Sequence, residues 1–279
     1  MKKATFLTLG VVSLLSFNAA ASQPCKESST VDLQLNDNNI RMLEIAIGAG
    51  SLKLAGGEHT HGSLQVQMCA SSPERLENMQ ASSSTRGSTA IVELDAGGRT
   101  NSFRPGLFRS ANYGYFVVTG ALPSAWGAAV TVGSGSADIE NIASLNITLG
   151  SGKLSAESVS GHVNATVGSG NVKLADISYL EVGAVGSGKV IADDIHSSVT
   201  VGSIGSGSVE LDEVGGNVTV SNIGSGSLTV SDVGGDVGIG SLGSGSINAR
   251  NVSGDFSIRM KGSGSVRTRN VSGSLNIPN

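Results

Sequence analysis

Along the second half of the chain, apolar and polar residues alternate in short runs, and the runs recur. In the stretch Gly205–Ile223 (GSGSVELDEVGGNVTVSNI) the apolar positions are Val209, Leu211 and Val214, then Val218, Val220 and Ile223. The next stretch repeats the order with Leu228, Val230, Val233, Val237, Ile239 and Leu242. The last one has Val266, Thr268, Val271, Leu275 and Ile277. Alternation at period two marks a strand with one buried face, so each unit predicts two short strands. The first turn is Gly-Ser-Gly-Ser. The second is often Gly-Gly (Gly215-Gly216, Gly234-Gly235) or Ser-Gly (Ser253-Gly254, Ser272-Gly273). Gly-Ser-Gly begins at Gly133, Gly150, Gly168, Gly186, Gly205, Gly224, Gly243 and Gly262, at spacings of 17, 18, 18, 19, 19, 19 and 19. A fixed long period of two-strand units predicts an all-β fold, a β-solenoid of ~19-residue coils. One coil cannot bury its apolar side chains alone, whereas stacked coils can. The crossover preference makes it right-handed. Eight coils at about 4.8 Å give a rod of roughly 40 Å. Glycine suits the turns for positive φ and for close backbone approach. Stacking would align Ser206, Ser225 and Ser244 in a ladder.

The first half is less regular. Strands are expected at Leu43–Ile47, Ser51–Ala55 and Leu64–Met68, then at Ala90–Leu94, Tyr115–Thr119 and Ala128–Val132. Ser72 and Pro73 fit the N-cap and first position of a short helix. Gly48-Ala49-Gly50-Ser51 looks like a degenerate copy of the repeat turn. We expect this half to form larger, looser coils that lead into the regular stack. Between Asp95 and Tyr113 lies a polar insertion. The aromatics Phe103, Phe108, Tyr113, Tyr115, Phe116 and Trp126 concentrate in and just after it, with Arg99, Arg104 and Arg109 interleaved. The organisation is therefore a leader (1–21), an irregular portion (22–132) and a regular solenoid (133–279) continuous with it.

Residues 1–21 have the pattern of an export signal. Met1-Lys2-Lys3 precedes an apolar run, and Ala19-Ala20-Ala21 offers a cleavage site before Ser22. The apolar run is too short for a membrane anchor, and no transmembrane segment is expected elsewhere. Ser22-Gln23-Pro24 before Cys25 does not fit a lipoprotein signal. The expected location is the periplasm, with the cell surface or medium as alternatives. Export places Cys25 and Cys69 in an oxidising compartment. Cys69 has outward parity in Leu64-Gln65-Val66-Gln67-Met68-Cys69, so a disulfide to an N-terminal segment lying over the outside is expected. Closing that loop is worth roughly 4 kcal/mol.

Charged residues are 14% of the chain and its net charge is −4, which argues against nucleic acid as a partner. The 40 glycines follow no every-third-residue pattern, which excludes collagen.

The combination LEIAIGAGSLKL, SLQVQM, ALPSAWGAAVTVGSGSADIENI, VGSGNVKL, IGSGSVELDEVGGNVTV and IGSGSLTVSDVGGDV resembles the bacterial putative-adhesin β-strand-repeat family over residues 40–279. The resemblance implies a β-helical envelope or surface protein and carries over no catalytic residue.

The chemistry of individual motifs is sparse. Gly150-Ser151-Gly152-Lys153 and Gly186-Ser187-Gly188-Lys189 lack the spacing and following helix of a phosphate loop. The serines form no nucleophile elbow, and Glu58-His59-Thr60-His61 reads as a solvated loop. Glu210, Asp212 and Glu213 read as a solvated face. The equivalent outward positions Lys173, Glu210, Thr229, Asn248 and Arg267 form no threonine ladder of the ice-binding kind. No enzyme activity, cofactor or metal is expected. Two binding candidates remain. The first is Arg99, Phe103, Arg104, Phe108, Arg109, Tyr113 and Trp126, suited to a glycan or envelope polymer, or else to capping the core. The second is a basic end. Residues 133–242 carry net −9 and residues 243–279 net +4. Arg250, Arg259, Arg267 and Arg269 at that end suit an anionic envelope partner, or else protect the final edge from stacking. The function expected is adhesion or scaffolding by a rigid exported rod.

Overall fold

The computed structural model describes residues 25–97 and 113–278. Strands dominate them. In order they are β1 (Glu27–Leu35), β2 (Met42–Ile47), β3 (Gly50–Gly57) and β4 (Gly62–Ala70), the single-turn helix α1 (Pro73–Glu77), then β5 (Gln80–Arg86), β6 (Thr89–Asp95), β7 (Gly114–Pro123), β8 (Gly127–Val132) and β9 (Ser136–Ile142). The regular part continues as β10 (Ser144–Leu149), β11 (Lys153–Val167), β12 (Asn171–Val185), β13 (Lys189–Ile195), β14 (Val199–Ile204), β15 (Ser208–Leu211), β16 (Val218–Ile223), β17 (Ser227–Val233) and β18 (Val237–Leu242). It ends with β19 (Ser246–Val252), β20 (Phe256–Lys261), β21 (Ser265–Val271) and β22 (Leu275–Asn276).

Each coil crosses two faces, as two separate strands or, in β11 and β12, as one continuous strand, and each face pairs in parallel with its equivalent one coil on. Glu210 lies beside Thr229, Thr229 beside Asn248, and Asn248 beside Arg267. The fold is the β-solenoid that the repeat demands. Face one runs β9, β11, β12, β13, β15, β17, β19, β21. Face two runs β8, β10, β11, β12, β14, β16, β18, β20, β22. The six apolar residues of the Gly205 coil are each no more than 2% exposed. The core is thus a narrow apolar seam between two sheets.

The repeat glycines carry one correction. Their φ angles are not positive; among the described glycines, only Gly50, Gly87 and Gly97 have positive φ. What they supply is close approach. A Cβ on Gly207 would collide with the carbonyl oxygen of Gly188, the same turn one coil back. Serines do stack at these turns, with Ser263 Oγ 3.3 Å from Ser244 Oγ.

The first half departs further from expectation. It does not feed looser coils into the stack in sequence order. β2 and β3 form a true coil already, with Gly133 N–H donating to Ile47 carbonyl at 2.7 Å and Ser51 level with Ser136. Yet this coil lies inside the rod, between β6 and β7 on one side and β8 and β9 on the other. Beyond β7 the pairing turns antiparallel. β4 lies against β7 and β1 against β4, while β5 closes face two against β6. This end is therefore finished by antiparallel edges and by α1, whose Ser72 hydroxyl accepts from Arg75 N–H at 3.3 Å.

Cys25 and Cys69 form the expected disulfide, with Cα atoms 5.1 Å apart. Cys69 is 1% exposed but stands apart from the core cluster that holds Met68 and Ala70. No helix among the described residues is long and apolar enough to cross a membrane.

Candidate functional site

Of the aromatic and arginine insertion, Arg99, Phe103, Arg104, Phe108 and Arg109 lie outside the described residues. Tyr113 is half-buried, its ring 6.0 Å from that of Tyr115 and its N–H bonded to Ser71 Oγ at 3.2 Å. Trp126 is not available to a ligand. It is 4% exposed and belongs to the core, where a Cβ on Gly62 would meet its ring at 2.8 Å. Its place in the turn between β7 and β8 swings the indole inward, so it seals the core rather than stacking a ligand.

The basic candidates are all exposed and fall in the last two coils. Coil register sets Arg250 level with Arg269, one coil apart. Arg250 Nη2 donates to Oγ of the buried Ser231 at 3.1 Å, which tethers it. Arg267 follows Asn248 on the same face, whereas Arg259 sits on β20 of face two. The patch therefore wraps the end of the rod instead of forming one flat surface. Among the described residues, none of the four arginines makes an ion pair. The nearby Asp255 is engaged by backbone, its carboxylate accepting from Ser274 N–H at 2.6 Å. This bond belongs to a ladder: Asn217 accepts from Asp236 N–H, and Asp236 from Asp255 N–H, each at 2.8 Å. These side chains finish the second turn of each coil.

A second polar ladder runs four residues before the first, at the approach to the same turn. One residue per coil there has positive φ: Asn141, Ser158, Asp176, Asp194, Glu213, Asp232, Asn251 and Asn270, at 51–58°. Five of them, Asp194, Glu213, Asp232, Asn251 and Asn270, line an open groove of about 810 Å³ together with His196. Amides pass hydrogen bonds down it, Asn270 to Asn251 and Asn251 to Asp232, both at 2.9 Å. Further along, His196 Nε2 lies 2.9 Å from Asp176 Oδ1 and its Nδ1 3.4 Å from Asp194 Oδ1. The Ser158 hydroxyl donates to Asp176 at 2.7 Å. That hydroxyl first, and His196 second, hold the Asp176 carboxyl below its usual value. Asp176, Asp194 and His196 offer ligand atoms within 4.8 Å of one another. Sequence reading missed this trio because Asp176 lies 18 and 20 residues before Asp194 and His196. Only the coil register, applied to charged rather than apolar positions, would have found it. The His59 and His61 loop does not assemble a site of this kind. His61 instead bonds Asn38 Oδ1 at 3.0 Å and Thr60 Oγ1 at 3.1 Å.

No family model matches the chain, and no curated protein matches it. Solved structures do. A putative lipid binding protein from Parabacteroides distasonis aligns at 15% identity with a TM-score of 0.49, over 91% of this chain and 98% of its own. A putative adhesin from Parabacteroides merdae aligns at 11% identity and TM-score 0.41, over 91% and 97%. A putative cell adhesion protein from Clostridium sporogenes aligns at 12% identity and TM-score 0.33, over 90% and 98%.

Proposed function

We propose that the protein is an exported, non-enzymatic rod of the bacterial envelope that serves adhesion or scaffolding, and that it docks an anionic envelope component through its C-terminal coils. The observation that carries this reading is the set of exposed arginines without acidic partners among the described residues, at one end of a rod whose body is acidic. Arginines left uncompensated on the last coils favour an anion, while the acidic body steers it away from the sides. The disulfide between Cys25 and Cys69 supports export, since such bonds persist in oxidising compartments. Continuous hydrogen bonding between coils supports rigidity.

The test is co-sedimentation of the purified protein with isolated bacterial envelopes. The comparison is a variant with Arg250, Arg259, Arg267 and Arg269 changed to Glu. The bound fraction should fall about tenfold in the variant, and in the native protein as salt rises from about 0.05 M to 0.5 M. Far-UV circular dichroism should remain unchanged. Equal sedimentation of both proteins at both salt concentrations would sink the reading.

A further inference from the structure

The end of face one has a shape as well as a charge. In the interior coils the N–H of each inward-facing residue points to the next coil. Ile195 donates to Glu213 carbonyl at 2.9 Å and Val214 to Asp232 carbonyl at 3.0 Å. Outward residues point back, as Ser265 does to Gly245 at 3.0 Å. By this alternation Val266 and Thr268 of β21 direct their backbone groups forward, where no strand stands among the described residues. The side chains agree. Ile247, Ala249 and Val252 of β19 are at most 2% exposed, yet their equivalents Val266, Thr268 and Val271 are only half-buried. Leu275, level with the fully buried Phe256, is 54% exposed.

We infer that β21 accepts an extended acidic segment of a partner protein as an added strand, a deepening that rests on the docking role proposed above for the basic end. An unpaired strand edge is a template for another strand. The inward row calls for apolar residues opposite Val266, Thr268 and Val271. The outward row calls for carboxylates opposite Arg267 and Arg269. The chain itself contains a strand with this alternation. In Ser208-Val209-Glu210-Leu211-Asp212-Glu213-Val214, Glu210 occupies the coil position of Arg267, and Asp212 follows at that of Arg269. Acid–base pairing between adjacent coils is already present on this face, where Lys189 Nζ lies 2.7 Å from Glu210. A second copy of the same end is disfavoured as occupant, because its arginines would meet these. A lipid surface would satisfy the arginines but leave the forward N–H groups of β21 without acceptors.

The experiment titrates the purified protein with a fluorescein-labelled Ser-Val-Glu-Leu-Asp-Glu-Val peptide, up to about 1 mM because a single short strand binds weakly. A peptide with lysines at the three acidic positions serves as control. Amide hydrogen exchange is read at Val266 and Thr268. The acidic peptide should bind and the lysine peptide should not. Exchange at both amides should slow about tenfold. The double variant Arg267→Glu, Arg269→Glu should reverse the peptide preference while keeping its dichroism spectrum. Binding without protection of Val266 and Thr268 overturns strand addition and leaves electrostatic docking in place. Binding to phosphatidylglycerol vesicles but not to the peptide also overturns strand addition and assigns the end to lipid. Binding to neither probe overturns strand addition, while the docking role is decided separately by the envelope co-sedimentation.

Discussion

Backbone conformation divides the labour among small residues in an unexpected way. Glycine follows from crowding, since the Gly188 and Gly207 turns stack too closely for a Cβ. Left-handed backbone instead falls to the corner ladder of Asn, Asp, Ser and Glu. Asn and Asp tolerate that region because their short side chains bond locally. Glu213, at φ 51°, is the poorest fit in the row. Glu213→Asn should therefore stabilise the fold by about 1 kcal/mol, read as a higher denaturation midpoint in urea. It also removes one carboxylate from between Asp194 and Asp232. A lower midpoint would show that the Glu213 side chain does something beyond occupying a strained position.

Individual elements show where alternation suffices and where it does not. The strands expected near Leu43, Leu52, Leu64, Ala90, Tyr115 and Ala128 all formed, as did the helix signalled by Ser72 and Pro73. β1 and β5 were not anticipated. β5 (QASSSTR) buries no residue fully and carries no period-two signal, whereas β1 alternates only over Val31–Leu35, a run as short as a loop segment. They exist because open sheet edges recruit them. The disulfide ties β1 to this end by closing a separation of 44 residues. Cys69→Ser should cost up to about 4 kcal/mol. The loss should be local: amides of Glu27–Leu35 should exchange faster while those beyond Gly133 keep their protection. Uniform acceleration along the chain would mean that the cap and the coils unfold as one unit.

The whole molecule behaves as a stack of nearly equivalent layers, each touching mainly its two neighbours. Deleting residues 224–242 joins Ile223 to Gly243 and removes one whole coil in register. The shortened protein should keep its β dichroism and cooperative melting, with a maximum dimension about 5 Å smaller by solution scattering. Deleting Thr229 alone should be far worse. A one-residue slip turns the apolar row of β17 to solvent, and its melting midpoint should fall well below that of the full-coil deletion. The reverse order would contradict the layered description.

The period, the inward residues and the expectation of a disulfide were legible in the chain because they are local. Alternation depends on neighbours two residues apart, and a coil repeats every 17 to 19. The burial of Trp126 and the insertion of β6 and β7 ahead of an earlier coil were not legible. Each depends on which strand lies beside which, and that choice is made by covering exposed apolar edges across long stretches of sequence. The same holds for the basic end. Composition already separated positive residues from negative ones, but only the stacking put Arg267 and Arg269 on a strand whose forward edge faces no neighbour among the described residues.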